Sequence, residues 1–379
     1  MDFKLSDEQK LIKANMKEFT RKYVDPIAAE IDENSRFPAE VIKELGEKGY
    51  MGMPFPEEFG GAGVDYLTYA IAVEELSRSC AATGFTMSVH TGLACGPIAL
   101  FGNEEQKKKY LTPMAKGEHL GAFALTEPGA GTDVGSATTR AVADGDEYVL
   151  NGSKTFTSNG PVADTFVTFA WTDPEDRRKG MSAFIVEKGT PGLSIGNHIM
   201  KMGIRASQTS EIFFHDCRVP KENLVGSLGD GLKIAMSCLD HGRIGIAAQA
   251  VGIAQAALDE ALEYSKQRIQ FGKPISKNQA IQWMLADMET DINAGRFMYY
   301  YAAWLKDQGQ SFGKAASMAK LFCAEMCFKH ASKAVQIFGG YGYCKGQKVE
   351  RLLRDAKITE IYEGTSEAQR MSIASSLLR

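Results

Sequence analysis

LGAFALTEPGAGTD, residues 120–133, is where the chain changes its period. Before it, apolar residues recur at helical spacing; after it come short β-rich runs about ten residues apart. The run LGAFA reads as a strand, and the Pro, Gly and Thr that follow as a loop. Working back towards the start, residues 1–120 read as helices. Ser6 with Gln9 makes a capping-box signature for a run reaching Ile31. Pro38 suits the first turn of a second helix, closed by Gly49. Asp65 is placed to cap YLTYAIAVEELSRS, FTMSVHTGLACGPIAL follows as a helix, and Asn103 with Gln106 starts another.

Working forward, TTRAVADGDEYVLNG, DTFVTFAWT, GMSAFIVEKG and SEIFFHDCRV give the spacing of a small barrel or sandwich, with ADGD as a hairpin turn. After NLVGSLGDGLK the helical period returns. Ile244, Ala248, Val251, Leu258 and Leu262 mark one face of a long helix; a second covers roughly 275–308 and a third ends at Gly339-Gly340. A shorter helix near 367–378 completes an antiparallel four-helix bundle. The fold class is therefore α+β: helical residues 1–120, a middle β-barrel or sandwich over 121–228, and a helical bundle over 229–379.

The totals narrow the function. The chain has 379 residues, 43 Lys+Arg against 47 Asp+Glu, and a formal charge of −4. That balance, with no basic stripe, argues against nucleic-acid binding. The polar N-terminus is unlike a signal peptide, and no uninterrupted apolar run approaches the ~18 residues of a membrane span. Seven scattered cysteines without a C-x-x-C pair fit a reducing cytoplasm, and the six histidines show no metal-ligand spacing, so no metal is expected.

Several stretches carry chemistry in one of two ways. FALTEPGAGTDVGS is either a β-domain loop or a backbone cradle for a planar ligand with anionic oxygens. KTFTSNG puts an aromatic and two hydroxyls at a strand end. LDHGRIGIAAQA sets Asp240 three residues before Arg243, as a local ion pair or a grip on a polar ligand. QRIQFGKPISKNQ is a connection whose Arg268 has the reach to meet a pyrophosphate. AVQIFGGYGY is a helix stop or bare backbone for a ligand. In KITEIYEGTSEAQR, Glu363 stands beside Gly364, a pairing a surface glutamate does not need and a catalytic base approached closely by a ligand does.

With LTEPGAGTD, GRIGIAAQA, QFGKPI, QIFGGYGY and RDAKITEIYEGTSEAQR in this order, the chain resembles the acyl-CoA dehydrogenases over essentially its whole length, the short-chain, butyryl-CoA type above all. The resemblance implies FAD held between the β-domain and the C-terminal helices, in a tetramer of paired dimers. It assigns flavin contacts to Phe123, Ala124, Leu125, Thr126, Gly131 and Thr132, and to Phe156, Thr157 and Ser158. Arg268, Phe271 and Gln279, and Gln336, Ile337, Phe338, Gly339 and Gly340, match positions reaching the cofactor from a neighbouring subunit. Thr365, Ser366 and Glu367 flank the pyrophosphate. Substrate contacts fall on Thr132, Asp240, His241, Gly242, Arg243 and Gly364, and Glu363 matches the catalytic base.

The implied reaction is α,β-dehydrogenation of a short acyl-CoA to trans-2-enoyl-CoA. Glu363 takes the α-proton as hydride leaves for flavin N5, and electrons are exchanged with electron-transfer flavoprotein. The same site run in reverse reduces crotonyl-, acrylyl- or an aryl-acrylyl-CoA such as caffeyl-CoA. An O₂-using oxidase and a non-catalytic relative of the fold are the other readings. Two departures stand out. Phe156 stands where many relatives have Trp, and CKGQKVERLLRDAK replaces a more acidic, Pro-containing stretch. Relatives that take dicarboxylyl chains place a cation in the region from Ser79 to Gln106, where this chain has no Lys or Arg, so the resemblance implies a neutral acyl chain.

Overall fold

The computed structural model describes residues 4–177 and 179–378. The chain opens with α1 (Asp7–Phe19), whose first turn is closed reciprocally: Ser6 Oγ accepts from the Gln9 N–H at 3.1 Å while Gln9 accepts from the Ser6 N–H at 3.0 Å. The helix does not run straight to Ile31. A π turn (Thr20–Val24) leads to Asp25-Pro26, where Pro26 lacks the donor a helix needs, and α2 (Ala28–Glu33) starts afresh. Then come α3 (Ala39–Glu47), stopped at left-handed Gly49, and α4 (Tyr66–Ser79), capped by Asp65. Next are α5 (Ala81–Ser88), a π turn (Val89–Cys95), α6 (Gly96–Phe101) and the short α7 (Glu104–Gln106) and α8 (Thr112–Ala115).

The stretch Ala81–Phe101 is long and apolar enough on average to cross a membrane, although its threonines, Ser88 and His90 interrupt it, in keeping with the lack of an uninterrupted apolar run. It is core: 78% of its apolar window is buried inside the protein.

Eight strands form the middle region: β1 (Gly121–Ala124), β2 (Arg140–Asp144), β3 (Glu147–Ser158), β4 (Thr165–Trp171), β5 (Met181–Glu187), β6 (Leu193–His198), β7 (Thr209–Pro220) and β8 (Leu224–Val225). Their order is β6-β7-β3-β2-β4-β5-β8, with β1 parallel to β4. Gly145, at φ 57°, turns the β2–β3 hairpin at ADGD. Every residue of β4 is buried, since the sheet covers a core on each face. Phe166 and Ala170 join Phe184, Ile212 and Phe214 on one side; Val167, Phe169 and Trp171 meet Ile98, Leu111 and Met114 of the N-terminal helices on the other. The sequence reading passed over β6, whose LSIGNH is half exposed, lacks clean alternation and carries a glycine.

The C-terminal region is built on α9 (Gly231–Gln267), 37 residues and so roughly 55 Å long. A two-residue ladder of β9 (Ile269–Gln270) and β10 (Lys273–Pro274) leads to α10 (Gln279–Asp307) and α11 (Gly313–Phe338). The bundle has three long members. Its remaining sides are taken by α4 and by two shorter helices, α12 (Lys348–Ile358) and α13 (Ser366–Leu377). Within the divergent CKGQKVERLLRDAK stretch, residues 344–347 are irregular and the rest is α12, with Val349, Leu352 and Ala356 on its buried side. It locks three regions together. Arg354 pairs with Asp32 of α2 at 2.7 Å, and the buried Asp355 carboxylate accepts the Ile204 N–H at 2.5 Å. That bond holds Ile204 at φ 43°, a conformation a β-branched residue rarely takes. The segment that follows α12 is thereby fixed where Glu363 must sit.

Candidate active site

Helix α12 ends at Ile358, and seven irregular residues lead into α13, whose first turn Thr365 caps by accepting from the Ala368 N–H at 3.2 Å. Within that link Glu363 and Gly364 both take positive φ, 51° and 94°. Two such residues in succession turn the Glu363 side chain inward. A Cβ built on Gly242, in α9, would collide with Glu363 Oε2. The carboxylate therefore lies against bare helix backbone, and a side chain at 242 would displace it.

Both carboxylate oxygens are buried without a hydrogen-bond partner, although part of the residue reaches the surface. Burial pushes the Glu363 carboxyl up to about 8, with Lys320 and Arg243 holding it back. The neighbouring hydroxyls of Tyr66 and Tyr69 stay protonated, because burial pushes both well up. Among the described residues, the N–H groups of Glu363 and Gly364 find no acceptor within the chain. Backbone donors left free in this way are available to a ligand oxygen.

Gly364 has a further reason to be glycine besides ligand access. A Cβ there would meet Gln369 Nε2 at 2.6 Å. Its carbonyl accepts from Lys320 Nζ at 2.7 Å and Gln369 Nε2 at 2.9 Å. Neither partner was singled out from the sequence. In KAASMAKLFCAEM, Lys320 looks like the polar edge of a helix, yet it is fully buried; only the pairing with a distant carbonyl explains it.

The pair Asp240 and Arg243 forms the local ion pair that the sequence allowed. Arg243 Nη1 meets Asp240 Oδ1 at 2.5 Å and Ser317 Oγ at 3.1 Å, while its Nε is buried and unpartnered. His241 points its ring into packing against Tyr66 and Phe312, with Nδ1 at 2.8 Å from the Ser237 carbonyl oxygen. Burial presses it down to about 4, so it stays neutral.

The β-domain residues gather at one edge. Thr126 and Thr155 are joined by a backbone bond of 2.8 Å, which ties the 125–133 loop to β3. Behind it, Lys154 Nζ and Glu127 Oε1 form a buried ion pair at 2.7 Å, and Glu127 also accepts from the N–H groups of Thr138 and Thr139. Phe123 is half-buried, Ala124 and Leu125 are buried, and Gly131 and Thr132 lie open. Phe156 shows 65% of its surface at φ 53°, while Thr157 Oγ1 beside it is buried and unpartnered. Ser158 closes β3. Next to it, Asn159 donates to the Gly121 carbonyl at 3.1 Å and to Thr86 of α5, and α5's Phe85 stacks on Tyr362 at 4.4 Å. That chain of contacts joins the strand edge to the residue before Glu363. Ser366 Oγ is again buried and unpartnered, with Glu367 exposed beside it.

These features fit FAD: an exposed aromatic wall, orphaned hydroxyls at Thr157 and Ser366, and the N-terminus of the twelve-residue α13 for a phosphate.

A second group lies elsewhere. Arg268, over the Tyr341 ring, Phe271, 99% exposed, Gln279, Gln336, Gly339 and Gly340 cluster past the far end of α9. Gly242 and Arg268 are 26 residues apart along that helix, about 39 Å at 1.5 Å per residue. Ile337 and Phe338 turn their side chains into the core, Phe338 stacking on Tyr264 at 4.0 Å, so only their backbone is offered to a ligand.

Comparison with known proteins gives three matching family models: acyl-CoA dehydrogenase, N-terminal domain, over residues 6–118, middle domain over 122–217, and C-terminal domain over 229–378. The chain is 55% identical over 379 residues to a short-chain specific acyl-CoA dehydrogenase of Clostridium acetobutylicum, spanning 100% of both. It is 49% identical to an acryloyl-CoA reductase (NADH) of Anaerotignum propionicum, over 100% of this chain and 96% of that one. Among solved structures, a chain from work on the electron transferring flavoprotein of Acidaminococcus fermentans superposes with a TM-score of 0.99 at 51% identity. Butyryl-CoA dehydrogenase from Megasphaera elsdenii gives 0.98 at 48%; both matches cover 100% of each chain. The FAD complex of PigA gives 0.96 at 33%, over 100% of this chain and 99% of that one.

Proposed function

The chain belongs to the acyl-CoA dehydrogenase family, a family of FAD-dependent oxidoreductases, and from that premise we propose that it interconverts a short-chain acyl-CoA and its trans-2-enoyl-CoA. The observation that carries the reading is a buried carboxylate without a partner, turned inward by a left-handed backbone and laid against the bare surface of Gly242.

An acyl-CoA α-proton is too weakly acidic for a carboxylate in water. Glu363, pushed up to about 8 by burial, is a stronger base suited to the task. The Glu363 N–H, free of any acceptor within the described residues, donates to the thioester oxygen in this reading, so negative charge growing there as the proton leaves is stabilised. Tyr66, Tyr69 and Tyr362 keep water from the carboxylate, and Arg243, with its spare Nε, grips a polar part of the CoA. FAD, when bound, supplies a two-electron acceptor or donor for hydride. Phe156, Thr157, Ser158 and the 123–132 segment would hold it, with Thr365–Glu367 at its pyrophosphate.

Electrons pass to or from an electron-transfer flavoprotein, a partner suggested by the context of one structural relative. The assembly is a homotetramer, in which Arg268, Phe271, Gln279 and Gln336–Gly340 complete a neighbour's cofactor site; the ~39 Å gap along α9 supports this. Seven unpaired cysteines, six of them buried, suit the cytoplasm. Reduction of a short enoyl-CoA by the same site is a second reading, favoured by full-length similarity to an acryloyl-CoA reductase. Glu363 then delivers the proton it would otherwise take.

The purified protein is expected to be yellow, and anaerobic butyryl-CoA to bleach it, with colour returning on addition of an electron-transfer flavoprotein. Colour returning at once in air with peroxide release contradicts the assignment of partner. Protein that never takes up FAD contradicts the function.

A further inference from the structure

Lys320 is a fully buried cation on α11 that makes no ion pair within 4 Å among the described residues. Burying an ammonium without a counter-ion is costly, and burial presses Lys320 down to about 8. A chain keeps such a residue where its charge or its donors do a task that nothing cheaper does. Its one hydrogen bond goes to the Gly364 carbonyl, 2.7 Å away. Gln369 Nε2 reaches the same oxygen at 2.9 Å and the Glu363 carbonyl at 3.3 Å.

The geometry points to Lys320 as a positioning residue for Glu363. It pins the left-handed Glu363–Gly364 turn through the Gly364 carbonyl, and its ammonium, held at the residue next to the base, sets the proton affinity of the carboxylate. This rests on Glu363 being that base.

The other groups facing the site do not replace it. Arg243, from α9, is already committed to Asp240. Tyr66 and Tyr69, from α4, and Tyr362 are pushed well up by burial and remain neutral. Glu360 bonds Lys357 at 2.5 Å, and Glu367 lies exposed on α13. The carboxylate and the ammonium therefore titrate as a coupled pair, and without the ammonium the carboxyl holds its proton to higher pH.

The test uses the FAD-loaded protein and the Lys320→Met variant, which keeps length and removes charge and donor. The pH profile of kcat/KM for butyryl-CoA is expected to move its rising limb up by about one unit, with a loss of about tenfold at pH 7 recovered at high pH and KM nearly unchanged. The infrared carboxyl band of protonated Glu363, identified by its absence in Glu363→Gln, should persist to correspondingly higher pH without any substrate. Lys320→Arg should restore the original midpoint in both measurements. An unmoved midpoint in folded Lys320→Met overturns the role. Should that variant not fold, a midpoint displaced by a unit or more in Lys320→Arg overturns it equally. Normal turnover by Glu363→Gln would instead remove the base assignment itself.

Discussion

Glu363 costs the folded protein something. Its carboxyl is raised from 4.5 to about 8 by burial, so the native state binds a proton that the unfolded chain releases. The stabilising contribution of that proton is complete below pH 4.5 and is lost as pH rises through 8. Glu363→Gln is therefore expected to leave Tm nearly unchanged at pH 4 and to raise it at pH 9, by the equivalent of a few kcal/mol at about 1.4 kcal/mol per pKa unit. Equal Tm values at pH 9 in a thermal scan would show that the carboxylate is not desolvated. The same titration gives the two reaction directions opposite profiles. Dehydrogenation needs the carboxylate and rises towards pH 8; enoyl reduction needs the acid and falls beyond it.

Gly364 adds a second prediction at this scale. With φ at 94° and Gln369 Nε2 in the way, Gly364→Ala should destabilise by about 1–2 kcal/mol and cut kcat by at least tenfold while FAD is retained, as read by urea melts and turnover. Glu363 and Gly364 were legible in the sequence because an acid directly before Gly-Thr-Ser is chemically odd there. Lys320 and Gln369 were not, because nothing local distinguishes a buried lysine in a helix from a solvated one.

Among the elements, the loop after β1 shows how a ligand edge is kept rigid. Its Glu127 is held down to about 2 by Lys154 and by the Thr138 and Thr139 donors, against the opposing effect of burial. A depressed carboxylate contributes stability above pH 4.5 that disappears as pH falls towards 2. Lys154→Met strands that charge and is expected to cost about 3–5 kcal/mol, with FAD lost well before the helices unfold. Flavin fluorescence followed against circular dichroism during denaturation would check the order; simultaneous loss would mean the loop is not independently held. The Glu-Pro-Gly sequence announced a turn, but nothing near it revealed that Lys154, 27 residues on, neutralises its acid. Elements with strong caps or periods were readable, as at Ser6, Asp65 and Asn103. β6 and α12 were not: one is an edge strand with a glycine, and the other's buried side mixes Val349, Leu352 and Ala356 with the charged Arg351 and Asp355.

At the scale of the whole molecule, α9 sets the geometry. Its glycine face at 242 meets Glu363, while its far end carries Arg268 roughly 39 Å away. If that end completes a neighbour's cofactor site, two crippled subunits should rescue each other. Glu363→Gln and Arg268→Ala proteins, unfolded and refolded together, should regain a fraction of activity that neither shows alone, because some mixed interfaces hold an intact Glu363 facing an intact Arg268. Activity no higher than the average of the parents would place Arg268 outside the neighbour's site. The α-then-β-then-α order was plain from the change of period at residue 120 and its return near 230. The contacts that join the three regions, Asp32 with Arg354 and Ile204 with Asp355, span more than 150 residues each and leave no local trace.

The most direct trial of the account is anaerobic mixing of FAD-loaded Glu363→Gln with butyryl-CoA, following flavin absorbance and thioester binding together. The account predicts bound flavin, bound acyl-CoA and bleaching slowed by about a hundredfold or more. Bleaching at the unmodified rate would contradict it, and the proton would have to leave to another group.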